Sequence, residues 1–390
     1  MKRKLAIVIV FVMMVTSMPF YAFAAEGDQS DVPGAAETVL NNGEKGSEDQ
    51  GSTDAVTTGE DENTADQEIG VSTGEGESVQ PVIQTGWNED HTMYYDKNGD
   101  PLKKVVRKIG GTRYYFNSKG VLDMSDGWKT ANTAKYYVKK GVIVTGPTKI
   151  KVTKKVKFYY NRKTGKWQRT KISGAKTKYR KVTESTLYMF LSNGKRKDTK
   201  GLYKLKGKEY YGLGKGRLKT GWTAIKEKKK GKAVFFSEKT GAMLKNTRVK
   251  YLKIPKNGRL GEAYYLGIKR LDKIGWSLRA AFKWSAGMRY QGRWFRTKSS
   301  EKYAIKGFSK GYGNCYCMAA TFYIMAKLLG YDVHQVAGKV DLPHSWTVIR
   351  QNGREWVYDP NFTNETGRNG WKIYYGKRGT WRYNSYHKMN

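Results

Sequence analysis

The chain has 390 residues, with 73 Lys and Arg against 34 Asp and Glu, for a formal net charge of +39. An apolar content of 38% excludes a protein of many membrane spans, and 13% aromatic residues exclude disorder over most of the length. Two cysteines, Cys315 and Cys317, are too few for a disulfide scaffold, and the length leaves room for two or three domains.

Residues 1–24 read as an export signal. Lys2, Arg3 and Lys4 form a charged start, Leu5–Val15 is unbroken apolar sequence, and Ala22-Phe23-Ala24 offers small residues at the cleavage positions. That apolar run is too short to cross a hydrocarbon core of about 30 Å at about 1.5 Å per residue. The expected product is secreted, without membrane attachment after cleavage, and Tyr386–Asn390 carries no hydrophobic sorting tail. Residues 25–80 hold almost no large apolar side chains. With 15 acids and one base between residues 26 and 78, they are expected to form a disordered acidic linker.

From 81 to 275 one pattern recurs, an aromatic doublet followed four to six residues later by Gly. It occurs at Tyr94-Tyr95, Tyr114-Tyr115-Phe116, Tyr136-Tyr137, Tyr159-Tyr160, Tyr210-Tyr211 and Phe235-Phe236, and more loosely at Tyr188-Met189-Phe190. Gly-Trp dyads lie between some copies, at Gly86-Trp87, Gly127-Trp128 and Gly221-Trp222. Each copy reads as a strand, a tight turn and a returning strand. Asn98-Gly99, Lys119-Gly120 and Asn193-Gly194 supply turn residues that need positive φ. No single hairpin can bury its aromatics, so the copies should stack as an all-β hairpin-repeat array. These dyads and doublets resemble the cell-wall-binding repeats of Gram-positive surface proteins, of the choline- and glucan-binding type. The resemblance implies ligand contacts through Trp87, Tyr95, Tyr115, Trp128, Tyr137 and Trp222. The repeats hold 50 bases and 13 acids, so an anionic wall polymer of teichoic-acid type, or an acidic glycan, is the expected partner. Export argues against nucleic acid.

From 276 to 390 the sequence becomes more helical. Ser277 is an N-cap signal for the segment beginning at Leu278. Asn314 as N-cap and Gly330 as C′ residue frame a helix over Cys315–Leu329. Cys315 then sits in the first turn, where free N–H groups and the helix dipole favour a thiolate. Cys317 falls about 200° around the helix from it. Downstream, Asn352-Gly353 between two alternating apolar runs signals a hairpin that pairs Gln351 with Arg354 and, counting back, Trp346 with Asp359. His344 is then diagonal to Asp359, within side-chain reach. A thiol, a His and a carboxylate that orients the His form a nucleophile–base–orienter set.

Gly313-Asn314-Cys315, Met318-Ala319, Leu329-Gly330, His344-Ser345-Trp346 and Tyr358-Asp359-Pro360 resemble the transglutaminase-like superfamily. Met318 departs from it, standing where the family usually has Tyr or Phe. The resemblance implies an α+β domain with a papain-like core and a Cys315, His344, Asp359 triad. That triad would act on peptide or protein amides by acyl transfer, with water or an amine as acceptor and no metal or organic cofactor. The family's additional oxyanion donor is not placed by the sequence; Trp284 and Trp294 are candidates. Cys317 as nucleophile, and a metal site using Cys315, Cys317, His334 and His344, are the less specific readings. His334 itself reads as a surface strand residue, and His387 has no assigned role. The rival to an enzyme is a non-catalytic adhesin whose thiol domain serves as a binding platform.

Overall fold

The computed structural model describes residues 83–292 and 295–389. The expected export signal and acidic linker, and Trp294, lie outside the described residues. Contacts divide the described residues into two compact units at Pro101/Leu102.

In the first unit Gly86–Trp87 (β1) pairs with Tyr94–Tyr95 (β2), and Tyr95 bridges to Pro101. The Trp87 ring stands edge-on to Tyr94 at 5.4 Å.

The second unit begins as antiparallel hairpins. Val105–Ile109 (β3) pairs with Thr112–Phe116 (β4), and Gly127–Ala131 (β5), Ala134–Lys139 (β6) and Val142–Ile143 (β7) form a small sheet. Gly146–Asn161 (β8), Lys166–Gln168 (β9), Thr177–Phe190 (β10), Lys200–Leu205 (β11), Lys208–Gly214 (β12) and Arg217–Leu218 (β13) form a six-stranded sheet. Gly221–Glu227 (β14) pairs with Lys230–Phe236 (β15), and Thr247–Val249 (β16) with Leu252–Ile254 (β17).

The hairpin turns differ from their sequence reading. Tight two-residue turns precede four of the aromatic doublets, at Gly110-Gly111, Asn132-Thr133, Lys206-Gly207 and Lys228-Lys229, with both central residues at positive φ. That is the geometry a two-residue hairpin needs, and Asn or Lys reaches it without a Gly to mark it. The glycines that follow the doublets, Gly99, Gly120 and Gly194, turn the chain into single bridges such as Phe116 to Leu122.

Burial proceeds through a succession of small shared cores. Tyr115, Tyr136 and Val138 form one, Ile150, Tyr188 and Phe190 the next, then Leu187, Met189 and Tyr210, then Ile225, Val234 and Phe236. Each draws side chains from more than one hairpin, which is why an isolated copy would be unstable.

The hairpins lead into helices Glu262–Ile274 (α1) and Leu278–Ala286 (α2) and the short strand Arg289–Tyr290 (β18), then Ser300–Lys310 (α3) and Tyr312–Gly313 (β19). Cys315–Leu329 (α4) follows, then Asp332–Lys339 (β20), Pro343–Gln351 (β21), Arg354–Tyr358 (β22), Pro360–Thr366 (α5) and Asn384–Lys388 (β23). The sheet order is β22-β21-β20-β23, all antiparallel. Helix α4 has the expected bounds. Asn314 accepts from the Cys317 N–H, and Gly330 adopts the left-handed conformation. It is buried almost all round, as a central helix must be. Neighbouring helices approach it through glycines: a Cβ on Gly267 of α1 would lie 2.9 Å from Ile324, and one on Gly307 of α3 2.6 Å from Thr321.

The repeat region read as 81–275 therefore contains a helix of the C-terminal core. Tyr264, Ile268 and Leu271 of α1 follow helical spacing and join the cluster of Phe282, Phe322, Met325 and Tyr358. Trp222, Leu252 and Ile254 from the last hairpins belong to the same cluster.

Candidate active site

The site is built where the start of α4 meets the edge of β21. Two side-chain bonds fix that meeting: Gln335 Nε2 donates to the Tyr316 carbonyl at 3.1 Å, and Thr347 Oγ1 to the Ala319 carbonyl at 3.1 Å. Gln335 also donates to Ser345 Oγ at 2.9 Å, tying β20 to the residue beside His344. The β21–β22 register is the expected one, Gln351 opposite Arg354 and Thr347 opposite Tyr358. That register carries Asp359 to a position beside His344.

His344 Nε2 donates to Asp359 Oδ2 at 2.8 Å, and both side chains are buried. Asp359 is the N-cap of α5 rather than a strand residue. Its Oδ1 accepts the Phe362 N–H at 3.0 Å, and its Oδ2 also accepts the Tyr383 hydroxyl at 3.1 Å. The carboxylate is thus held by three donors and fully enclosed. Burial raises the Tyr383 phenol, and neighbouring Asp359 raises it further, so it remains a donor.

With Nε2 engaged, Nδ1 is the ring nitrogen left for the thiol. Burial works to lower the His344 pKa, but the Asp359 charge, the hydrogen bond from His344 to Asp359, and then Cys315 outweigh it and raise His344 to about 10. Trp346 stacks beside the imidazole at 5.9 Å between centroids, and Trp381 meets it edge-on at 4.8 Å. Cys315 itself is 6% exposed. As the first residue of α4, its N–H and that of Tyr316 have no acceptor within the helix.

Cys317 is separate from this set. Its side chain packs against Gly313, where a Cβ would lie 2.8 Å from its sulfur, and burial raises its thiol to about 11. Trp284 stacks on Phe308 at 5.6 Å under the Arg270 guanidinium, so it is a helix-packing residue away from the site. Tyr290 is the aromatic found instead beside the thiol: β18 pairs it with Gly313, and burial, then Cys315, raise its phenol. His334 lies half-buried in β20 opposite Val348 and outside the triad, and His387 is exposed on β23. No group of three or more His, Cys, Asp and Glu among the described residues is placed to hold a metal. No helix among them is long and apolar enough to cross a membrane.

Gln335, Tyr290, Trp381 and Tyr383 were not singled out from sequence. No short motif marks them, because register and late-chain packing bring them in.

The aromatic candidates of the repeats scatter. Trp87 and Tyr95 lie half-buried in the first unit. Tyr115 is buried in a hairpin core, and Trp222, 6% exposed, packs with Phe235 in the helical cluster; both are packing residues rather than surface contacts. Trp128 and Tyr137 do meet, edge to face at 5.3 Å, and Trp128 is 39% exposed. The Arg196 guanidinium already covers the Trp128 ring at 5.5 Å.

No protein-family model matches the sequence, and no curated protein matches it. Solved structures similar to it include choline-binding protein F of Streptococcus pneumoniae, 24% identical over 45% of this chain and 47% of that one, with a TM-score of 0.25. CbpJ of Streptococcus pneumoniae TIGR4 is 22% identical over 45% and 48%, with a TM-score of 0.24. The modular autolysin LytC of Streptococcus pneumoniae is 14% identical over 42% and 33%, with a TM-score of 0.18. The chain spans about half or less of the length of each.

Proposed function

We propose that the C-terminal part is a transglutaminase-like thiol enzyme that performs acyl transfer on amides, carried to a cell wall by the basic hairpin repeats. The observation that carries the catalytic reading is the buried His344–Asp359 bond at 2.8 Å, set beside a thiol that opens a helix. In this reading the Cys315 thiolate attacks the amide carbonyl carbon, and negative charge gathers on the carbonyl oxygen beside the N–H groups of the first turn. The His344 imidazolium gives its proton to the leaving amine as the C–N bond breaks, leaving a thioester on Cys315. Water or a second amine then attacks that thioester with His344 as base, and the thiol returns. Asp359 fixes the ring so that Nδ1 faces sulfur, and Tyr383 and the Phe362 N–H fix Asp359. Nothing in the site favours an amine over water, so hydrolysis is the default outcome.

The test is the alkylation rate of Cys315 by iodoacetamide in the full chain. His344→Ala should slow it at least about tenfold at neutral pH, because the imidazolium that supports a thiolate is gone. Cys317→Ser should leave it unchanged. An ordinary rate that ignores His344 would contradict the reading.

A second reading, a wall-bound adhesin with an idle triad, is favoured by the burial of Cys315 and by Trp381 packed against His344. For wall binding, retention on wall material stripped of teichoic acid should fall well below retention on intact wall. Equal retention would contradict the polyanion part.

A further inference from the structure

The two strands β8 and β10 pair over 14 positions, from Gly146–Phe190 to Tyr159–Thr177. Beyond Ile150 and Leu187 no residue of either strand is buried, so the pair stands out as a ribbon whose two faces can be sorted by alternation.

One face is already occupied. Val152, Val156 and Val182 lie half-buried there, and Glu184 bridges Lys154 at 2.7 Å and Arg169 at 2.5 Å. Arg169 and Arg180 cover Phe158, and Lys178 covers Trp167 at 4.0 Å.

The opposite face is open. It presents Lys149, Lys151, Lys155 and Lys157 on β8, with Lys181, Thr183 and Tyr179 across from them on β10. All five lysines are exposed, the face contains no Asp or Glu, and none of the five forms an ion pair among the described residues. Lys155 and Lys181 are directly opposite one another, an arrangement of like charges that destabilises a sheet. Thr153 and Thr183 join hydroxyls at 2.7 Å between the lysine rows, and Tyr179 stands 65% exposed beside Lys157. Residues two apart repeat at about 6.8 Å, so the β8 lysines form two adjacent pairs of point charges along the strand, separated by Thr153. A linear anion can meet them in succession; a compact one meets one or two. The cations of this face are all lysine, the compact ammonium suited to phosphate oxygens, whereas Arg169 and Arg180 lie on the occupied face.

We propose that this open face of the β8–β10 ribbon is the docking surface for a linear phosphodiester polymer of teichoic-acid type. The proposal rests on the wall-polymer reading above and moves the contact from the aromatic hairpins to the lysine ribbon.

The experiment measures binding of the full chain to poly(glycerol phosphate) by fluorescence anisotropy at several salt concentrations. Lys151, Lys155, Lys157 and Lys181 are changed together to Gln, and as an equal-charge control Lys226, Lys228, Lys229 and Lys230 are changed to Gln. The ribbon variant should lose roughly ten- to a hundredfold in affinity and show a flatter salt dependence, while the control loses about threefold or less. Its melting temperature should hold or rise, since the Lys155–Lys181 repulsion is relieved, which separates lost binding from lost folding. If both variants lose equally, the charge acts diffusely and the ribbon assignment is overturned. It is also overturned if the ribbon variant binds like the parent, although the wall reading survives. Tighter binding to a polyuronate of matched charge, or to a single-stranded oligonucleotide, would overturn the choice of phosphodiester polymer. If the parent chain binds no poly(glycerol phosphate), the wall-polymer reading falls and this proposal with it.

Discussion

Asp359 shows how one side chain can carry several duties. It caps α5, holds His344 and accepts from Tyr383, all without exposure to solvent. Tyr383→Phe removes one donor and should cost about 1–3 kcal/mol in denaturant unfolding, the range for a buried acceptor left short of a partner. The His344 pair also sets a pH signature. Its imidazole is raised in the folded chain, so the stability that it contributes is complete below about pH 6.5 and lost as pH rises through about 10. The melting-temperature gap between the parent and His344→Ala should therefore shrink between those limits, and a gap independent of pH would contradict the pairing. The His344–Asp359 pairing was legible in sequence because the Asn352-Gly353 turn fixes the strand register by counting, and the place of Cys315 at the start of α4 because Asn314 caps that helix. Tyr383 was not, since it reaches Asp359 from 24 residues further along through a loop whose path only packing decides.

Among the elements, α4 was the most legible. Asn314 and Gly330 state its ends, and its apolar content states its burial. Helix α1 was missed because the repeat region was run on to residue 275, although Tyr264, Ile268 and Leu271 follow helical spacing. How closely α3 lies on α4 was also hidden, as Gly307 has no signature apart from the contact. Gly307→Ala should cost about 1–3 kcal/mol by overpacking, because the new Cβ falls 2.6 Å from Thr321 and 3.1 Å from Met288. In the hairpins, Arg259 joins Glu209 at 2.6 Å and Glu227 at 2.7 Å, and holds the buried Glu209 carboxyl down to about 2. Arg259→Met should cost about 1–3 kcal/mol, because Glu209 keeps Lys245 at 2.7 Å but loses its other partner. A depressed carboxyl stabilises above its ordinary value, so the loss should fade as pH falls from about 4.5 toward 2.

For the molecule as a whole, most of the basic excess and the buried His344–Asp359 pair belong to different parts of one chain. The basic excess concentrates in the hairpins, and the open ribbon face collects five lysines with no acid. The enclosed site depends instead on packing from both parts, because Trp222, Leu252 and Ile254 share a core with α1, α2 and α4. A fragment starting at residue 276 removes α1 and those hairpins, and should show no cooperative unfolding transition. One starting at residue 221 should unfold cooperatively. The composition change at Trp276 marks where helices dominate the sequence, whereas the shared core extends back across it. Charge counting alone could not reveal this, since Trp222 and Leu252 read as ordinary repeat residues.

Covalent capture at one sulfur tests the proposed thiol chemistry most directly. Intact-mass analysis of the full chain during brief exposure to an activated acyl substrate should show one acyl group on Cys315, absent in Cys315→Ala. The adduct should be discharged by water or by an added amine at a rate that His344→Ala slows by roughly a hundredfold. Acylation of Cys315 and Cys317 alike, or discharge indifferent to His344 in a folded variant, would contradict it.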